Sequence, residues 1–401
     1  MVSRDAFVVP GFRAAAVACG MRYRNRPDLA LIAADSPAAA AGVFTTNRFT
    51  AAPVDVCRKH LHEPYVRGIL INAGIANACT GDEGLRLAAQ MAAEGARALG
   101  VQAEEMLVAS TGVIGQQLRM EPLLQALPEL CQSLRADGWQ DVARAIMTTD
   151  TVPKMASVKV DLCGKIVTIG GVAKGSGMIA PNMATMLAFV CTDAAVQPSV
   201  LHHWLLAGCR TSFNCITIDG DTSTNDCVLT MASGHAQNEL LDTLESEPSR
   251  QFGAALQAVL LDLAKQIVYD GEGATKFIAI RVTGATDEAG AQAVATTIAN
   301  SPLVKTAFFG EDANWGRVVA AAGRSGVPLV PERTTLFFDD ICVFKSGMPL
   351  LDPETEKRAS QVFKQKEIHL NLDLGMGDAE FIAYTCDLSY DYVKINASYR
   401  S

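Results

Sequence analysis

The sequence predicts an α/β protein built on mixed sheets, and three observations carry that prediction. Short apolar runs bounded by turn residues alternate with stretches whose apolar residues recur at helical spacing. Strands joined by a tight turn occur beside strands separated by whole helices, which requires antiparallel and parallel pairing together. At 401 residues the chain is also longer than a single core normally grows, so two domains or one elaborate unit are expected.

Taken in order, Leu29-Ala30-Leu31-Ile32-Ala33 and Gly68-Ile69-Leu70-Ile71-Asn72 read as strands. Leu85 to Leu99 is rich in Ala with Leu and Met at helical spacing, and Gly100 is its stop. Met106-Leu107-Val108-Ala109 is a short strand running into Ser110-Thr111-Gly112, and residues 121–148 are helical by period with a break near Gly138. A hairpin follows: Ser157 to Asp161, a turn at Cys163-Gly164-Lys165, then Ile166 to Ile169. Residues 170–182 read as a glycine-rich loop, and 185–191 as the next strand. Amphipathic stretches at 197–213, 239–268, 287–300 and 353–366 alternate with strands at 276–283, 335–345 and 367–389.

Composition removes several function classes. With 43 acidic against 34 basic residues the net charge is −9, and no basic block offers itself to nucleic acid. Charged residues are 19% and hydrophobic residues 49% of the chain, which excludes a mainly disordered protein. No run of eighteen uninterrupted apolar residues marks a membrane span. The small-residue stretch Ala14 to Ala18, flanked by Arg13 and Arg22, is too short for a secretory segment. Eleven cysteines, an odd number without a CxxC pair, read as buried thiols of a cytoplasmic protein. His60 with His62, and His202 with His203, lack a third ligand at recognisable spacing, so no metal is expected.

The most unusual segment runs from Gly170 to Leu187. Its order Lys174-Gly175-Ser176 is wrong for a Walker phosphate loop. Gly175-Ser176-Gly177-Met178-Ile179-Ala180 satisfies the dinucleotide pattern G-x-G-x-x-A, but Pro181 and Asn182 interrupt the helix that pattern needs. A third reading is a strained loop that delivers Thr185 to the start of a strand. Scission between Ala184 and Thr185 would free an α-amine with a pKa of about 8, suited to act as base for the threonine's own hydroxyl. On spacing alone a tight structural turn accounts for the same residues.

The stretch Lys174 to Leu187 resembles the self-cleavage motif of the ornithine acetyltransferase (glutamate N-acetyltransferase, ArgJ) family. Six further blocks resemble that family in its order: Ser110 to Gly115, Met147 to Thr151, Asp219 to Asp226, Asp270 to Lys276, Asp312 to Arg317 and Tyr392 to Ala397. The resemblance therefore runs essentially from end to end. It implies an α-β-β-α layered sandwich with a smaller domain within roughly 285–390. It also implies self-cleavage before Thr185 into pieces 1–184 and 185–401, two of each forming the particle.

By the same resemblance, Thr185 is the acetyl acceptor, with the Thr111 hydroxyl and the Gly112 N–H as the oxyanion hole. Thr151, Lys174, Thr185, Glu272, Asn396 and Ser401 are the implied substrate contacts; the family pattern has threonine at the last of these positions. Arg210, Lys276 and Arg317 are further cations that a site for carboxylates can use. The implied activity moves an acetyl group from N2-acetyl-L-ornithine to L-glutamate by a ping-pong route. No cofactor is needed, and acetyl-CoA is a further donor used by some members. Two other readings stay open at this point: a self-cleaving N-terminal-threonine amidohydrolase or aminopeptidase, and a nucleotide-binding module built on the glycine loop.

Overall fold

The computed structural model describes residues 1–23, 25–180, 186–350 and 352–398. The cleavage pair Ala184 and Thr185, and the contact residue Ser401, lie outside the described residues. The chain divides into two compact units. The larger holds Met1–Gly175, the segment ending at Asn214, and Asp221–Ile267; the smaller holds the chain from Val268 onward, Cys215–Gly220 and a short stretch starting at Ser176.

The larger unit is organised on an eight-stranded mixed sheet. Its strands are β1 (Phe12–Val17), β2 (Leu29–Phe44), β3 (Tyr65–Ile75), β4 (Met106–Val113), β5 (Lys154–Leu162), β6 (Lys165–Lys174), β7 (Leu187–Thr192) and β8 (Cys227–Ala232). The order across the sheet is β4-β3-β2-β8-β7-β6-β5, with β1 paired to β2. The β3/β4 and β7/β8 pairs are parallel and the others antiparallel. Every residue of β7 and β8 is buried, as continuous apolar strands covered on both faces require. Two successive residues of β6 show this coverage: a side chain at Gly170 would meet Phe7, and one at Gly171 would meet Leu263.

Helices α1 (Ala52–His60), α2 (Gly81–Leu99), α3 (Met120–Gln132) and α4 (Trp139–Ala145) share one apolar core with the sheet. The α2 stop is as the sequence predicts, Gly100 taking the left-handed conformation at φ 73°. Helices α5 (Pro198–Arg210) and α6 (Glu247–Tyr269) also belong to this part of the chain. By length and composition α6 is apolar enough to cross a membrane, but Phe252, Leu256, Val259, Leu263 and Ile267 are buried as in the core helix of a folded domain.

The smaller unit carries a six-stranded sheet in the order β12-β11-β10-β13-β9-β14. Its strands are β9 (Phe277–Ala285), β10 (Thr335–Phe338), β11 (Ile341–Lys345), β12 (Met348–Pro349), β13 (Glu367–Asp373) and β14 (Ala379–Cys386). Its helices are α7 (Glu288–Ala299), α8 (Pro302–Phe309), α9 (Trp315–Gly323), α10 (Pro353–Val362) and α11 (Tyr390–Ala397). Burial alternates along β13, with Ile368, Leu370 and Leu372 inward and Glu367 and His369 outward.

The mixed α/β class expected from the sequence is the one adopted, with local differences. Residues 335–345 form a hairpin rather than one strand, because Asp339 turns the chain with φ 50°. Gly170 to Lys174 are not loop; they complete β6, with residues 170–173 paired to both β5 and β7 and Lys174 to β7, and the glycine loop starts at Gly175. The small-residue stretch at Ala14 is the middle of β1. The cysteines are free thiols; Cys57, Cys191, Cys209, Cys215, Cys227 and Cys386 are buried, whereas Cys79 and Cys163 are exposed.

Candidate active site

One row of residues crosses the larger sheet at the end where the glycine loop begins. Lys174 pairs with Leu187, Leu187 with Cys227, and Cys227 with Phe44. The last residue of β6 and the first residues of β7 and β8 are thereby brought level. Met186, the residue bonded to Thr185, donates its N–H to the Asp226 carboxylate at 3.0 Å.

Thr111 and Gly112 stand at the end of β4, pairing with Ala73 and Gly74 of β3. Buried polar side chains fix this strand end. The Ser110 hydroxyl donates to Asn72 Oδ1 at 2.6 Å, and Asn225 Nδ2 donates to the Ser110 carbonyl at 2.9 Å and the Ala76 carbonyl at 2.6 Å. Gly112 has φ 135°, and a side-chain carbon there would lie 2.1 Å from the Gly74 carbonyl carbon. Gly112→Ala is therefore expected to destabilise the protein by about 3 kcal/mol or more, read as a lower urea midpoint.

Lys174 and Thr111, 63 positions apart, meet: Lys174 Nζ donates to Thr111 Oγ1 at 3.2 Å, both side chains buried. An ammonium can only donate, so the Thr111 hydroxyl accepts here and keeps its own proton for another acceptor. Two buried carboxyls complete this group, and sequence reasoning singled out neither. Asp150 accepts from Lys154 Nζ at 2.6 Å, from Gly175 N at 2.7 Å and from Thr148 N at 3.0 Å. Burial alone would raise its pKa, but the Lys174 and Lys154 cations and these hydrogen bonds outweigh it and hold Asp150 at about 2. Asp226 is fully buried, and desolvation drives its carboxyl well above the usual range despite the Met186 N–H and the Lys174 charge. Both acids sit inside blocks the sequence had marked, which was the available signal. Thr151 follows Asp150 and is exposed, with Thr148 and Thr149 half-buried.

In the smaller unit Glu272 and Asn396 come together. Asn396 Nδ2, on α11, donates to Glu272 Oε2 at 2.7 Å, and the Glu272 N–H donates to the Ser176 carbonyl at 2.7 Å. Glu272 is buried, and its carboxylate fills the space beside Gly177, where a side-chain carbon would be 2.4 Å away. Asp219 shapes the same loop by accepting from Met178 N at 2.6 Å and Ile179 N at 2.8 Å. Lys276, by contrast, spends its ammonium on Glu311 and the carbonyls of Phe363 and Gln365, and Arg317 donates to the Leu303 carbonyl. These two are structural cations. Arg210 ends α5 and is exposed.

Residues 176–178 form a bend within an otherwise irregular stretch from 175 to 180, so the strand β6 is not followed by the helix that a dinucleotide fingerprint requires. Among the described residues no three His, Cys, Asp or Glu side chains gather in a metal-binding arrangement.

Comparison with known proteins identifies the family. The chain matches the ArgJ family over residues 13–401. It is 49% identical over 401 residues to the arginine biosynthesis bifunctional protein ArgJ of Chlorobaculum tepidum, covering 99% of this chain and 98% of the relative. The protein of the same name from Geobacter sulfurreducens is 48% identical over 393 residues, covering 98% of this chain and all of that one. A crystal structure of ArgJ from Bacillus halodurans is 44% identical with a TM-score of 0.50, covering 52% of this chain and 97% of that chain. The chain belongs to the ArgJ family.

Proposed function

We propose that this protein is a self-processing acetyltransferase of arginine biosynthesis. It moves the acetyl group from N2-acetyl-L-ornithine to L-glutamate, releasing L-ornithine and N-acetyl-L-glutamate. The observation that carries the reading is the meeting of Lys174, Thr111 and Gly112 at the sheet end where β7 starts, two residues after Thr185.

Scission of the Ala184–Thr185 bond gives pieces 1–184 and 185–401 and frees the Thr185 amine. The amine takes the hydroxyl proton as Thr185 Oγ attacks the acetyl carbon. The Thr111 hydroxyl and the Gly112 N–H hold the oxyanion, and the Lys174 ammonium polarises Thr111 so that its proton points to that charge. Ornithine leaves with the proton. The glutamate amine then attacks acetyl-Thr185 through the equivalent tetrahedral intermediate, losing a proton by way of the Thr185 amine to Thr185 Oγ as that oxygen leaves.

Lys174 also suits the α-carboxylate that both substrates carry. Glu272, oriented by Asn396, suits the ornithine ammonium, and Thr151 and Ser401 complete the proposed contacts. The chemistry uses no cofactor; acetyl-CoA is a second donor that reaches the same acetyl-threonine. Two copies of each piece form the proposed particle.

Initial rates with both substrates varied test this reading. Parallel double-reciprocal lines, with ornithine release that stops when glutamate is withheld, are the expected result. Steady ornithine release without glutamate would make the enzyme a hydrolase instead.

A further inference from the structure

The carboxyl of Asp226 has a capacity that acetyl transfer leaves unused. Its Oδ1 accepts the Met186 N–H at 3.0 Å, and its backbone carbonyl accepts the Thr45 N–H at 2.9 Å, so the residue is fixed at the mouth of β8. The side chain is fully enclosed, and Ser223 lies close enough to the carboxyl to oppose its rise in pKa, yet among the described residues Oδ2 has no hydrogen-bond partner of normal geometry. Leaving a buried polar atom unpaired costs about 1–3 kcal/mol, so such an atom calls for a role. Met186 is bonded to Thr185, and covalent geometry keeps successive backbone nitrogens roughly 3–4 Å apart. The unpaired oxygen therefore belongs to the group that holds the peptide next to the bond to be cut.

We propose that Asp226 is the proton shuttle of self-cleavage, passing the Thr185 hydroxyl proton to the Thr185 nitrogen as that nitrogen leaves Ala184. The proposal rests on Thr185 being the nucleophile. In this step a bond forms from Thr185 Oγ to the Ala184 carbonyl carbon, and the bond from that carbon to the Thr185 nitrogen breaks. The carboxyl gives its proton to the departing nitrogen and is refilled from Oγ–H. A peptide thus becomes an ester and a neutral amine, with no oxidant or reductant involved. Water then hydrolyses the ester, restoring the threonine hydroxyl and leaving a carboxylate on Ala184.

The surroundings keep the shuttle loaded. Burial holds the Asp226 proton well above the usual carboxylate range, and the opposing cation is Lys174, itself shared with Asp150. The neighbouring titratable groups, Cys227 and Cys57, are thiols that burial keeps protonated.

The test follows wild-type and Asp226→Asn chains after cell-free synthesis, by intact mass under denaturing conditions, with Thr185→Ala as the uncut reference. Asparagine retains an oxygen for the Met186 N–H but has no proton to pass on. Cutting at least about 100-fold slower than wild type, in a chain that melts with the Thr185→Ala reference, is the expected result. An Asp226→Asn chain cut at the wild-type rate overturns the shuttle. A Thr185→Ala chain cut at the same bond overturns the underlying nucleophile instead. The wild type adds a reading that does not depend on the variant folding. The shuttle works only while protonated, so the cutting rate must fall on the alkaline side of its titration; a rate that goes on rising with pH overturns it.

Discussion

A Thr185→Ala chain is expected to stay in one piece and to transfer no acetyl group. Both outcomes follow from one atom, because the hydroxyl that would attack Ala184 is the hydroxyl that would carry the acetyl group. Loss of a covalent nucleophile costs on the order of 10⁴-fold or more in turnover. The strand beyond it has its own anchors, since Leu187 is registered against both Lys174 and Cys227, so the variant should fold. Intact mass of denatured wild type should show two species matching 1–184 and 185–401, and the variant one. Two species from the variant would place the chemistry elsewhere. Thr185→Ser, which keeps the hydroxyl, should still be cut.

The second large effect is expected at Asp150. This carboxylate and the Lys154 ammonium are 2.6 Å apart with no exposed side-chain surface on either, and two backbone N–H groups also point at Asp150. Asp150→Ala strands the lysine charge and both donors in the interior. Removing one partner of such a pair costs about 3–5 kcal/mol, which should lower the melting temperature by roughly 5 °C. Measured in the Thr185→Ala background, the comparison is free of any dissociation of pieces. A loss below about 1 kcal/mol would show that the interior tolerates the unpaired lysine.

The same pair sets an acid limit. The Asp150 pKa is depressed in the folded state to about 2, so its contribution is fully present above the unfolded value and drains away as pH falls through the folded one. That contribution is on the order of 2 kcal/mol and is lost between about pH 4 and about pH 2. An Asp150→Asn chain should lack this part of the acid dependence.

What could be read from the sequence was what local chemistry dictates. The β5/β6 hairpin has its turn at Cys163 and Gly164, both with positive φ, and α2 ends on its glycine. The short helices α8, α9 and α11 span about two turns each, too little for a period to stand out. Strand β8, Cys-Val-Leu-Thr-Met-Ala, is buried throughout and so shows no alternation. At the site, the residues of each matched block were visible but their company was not. Nothing local says that Asp226 faces the amide of Met186, forty positions earlier; the parallel pairing of β7 with β8 decides that. Asp150 looked like one more polar residue among threonines until two lysines and a glycine N–H converged on it.

The order of strands in the larger sheet gives the proposed scission a consequence for the life of the molecule. Cutting before β7 assigns β7 and β8 to one product and β2 and β6, which flank them, to the other. The later product is a two-strand insert clamped on both sides by the earlier one, through ladders of six registered pairs each to β2 and to β6. Such halves cannot drift apart without tearing two ladders in the interior, so dilution alone will not undo the particle. Denaturation is another matter. The polypeptide first finds this weave as one chain, for which every closure is intramolecular, whereas recovery after unfolding asks two strangers to meet. The mature protein is thus assembled once, and its refolding yield should depend on concentration although its birth did not.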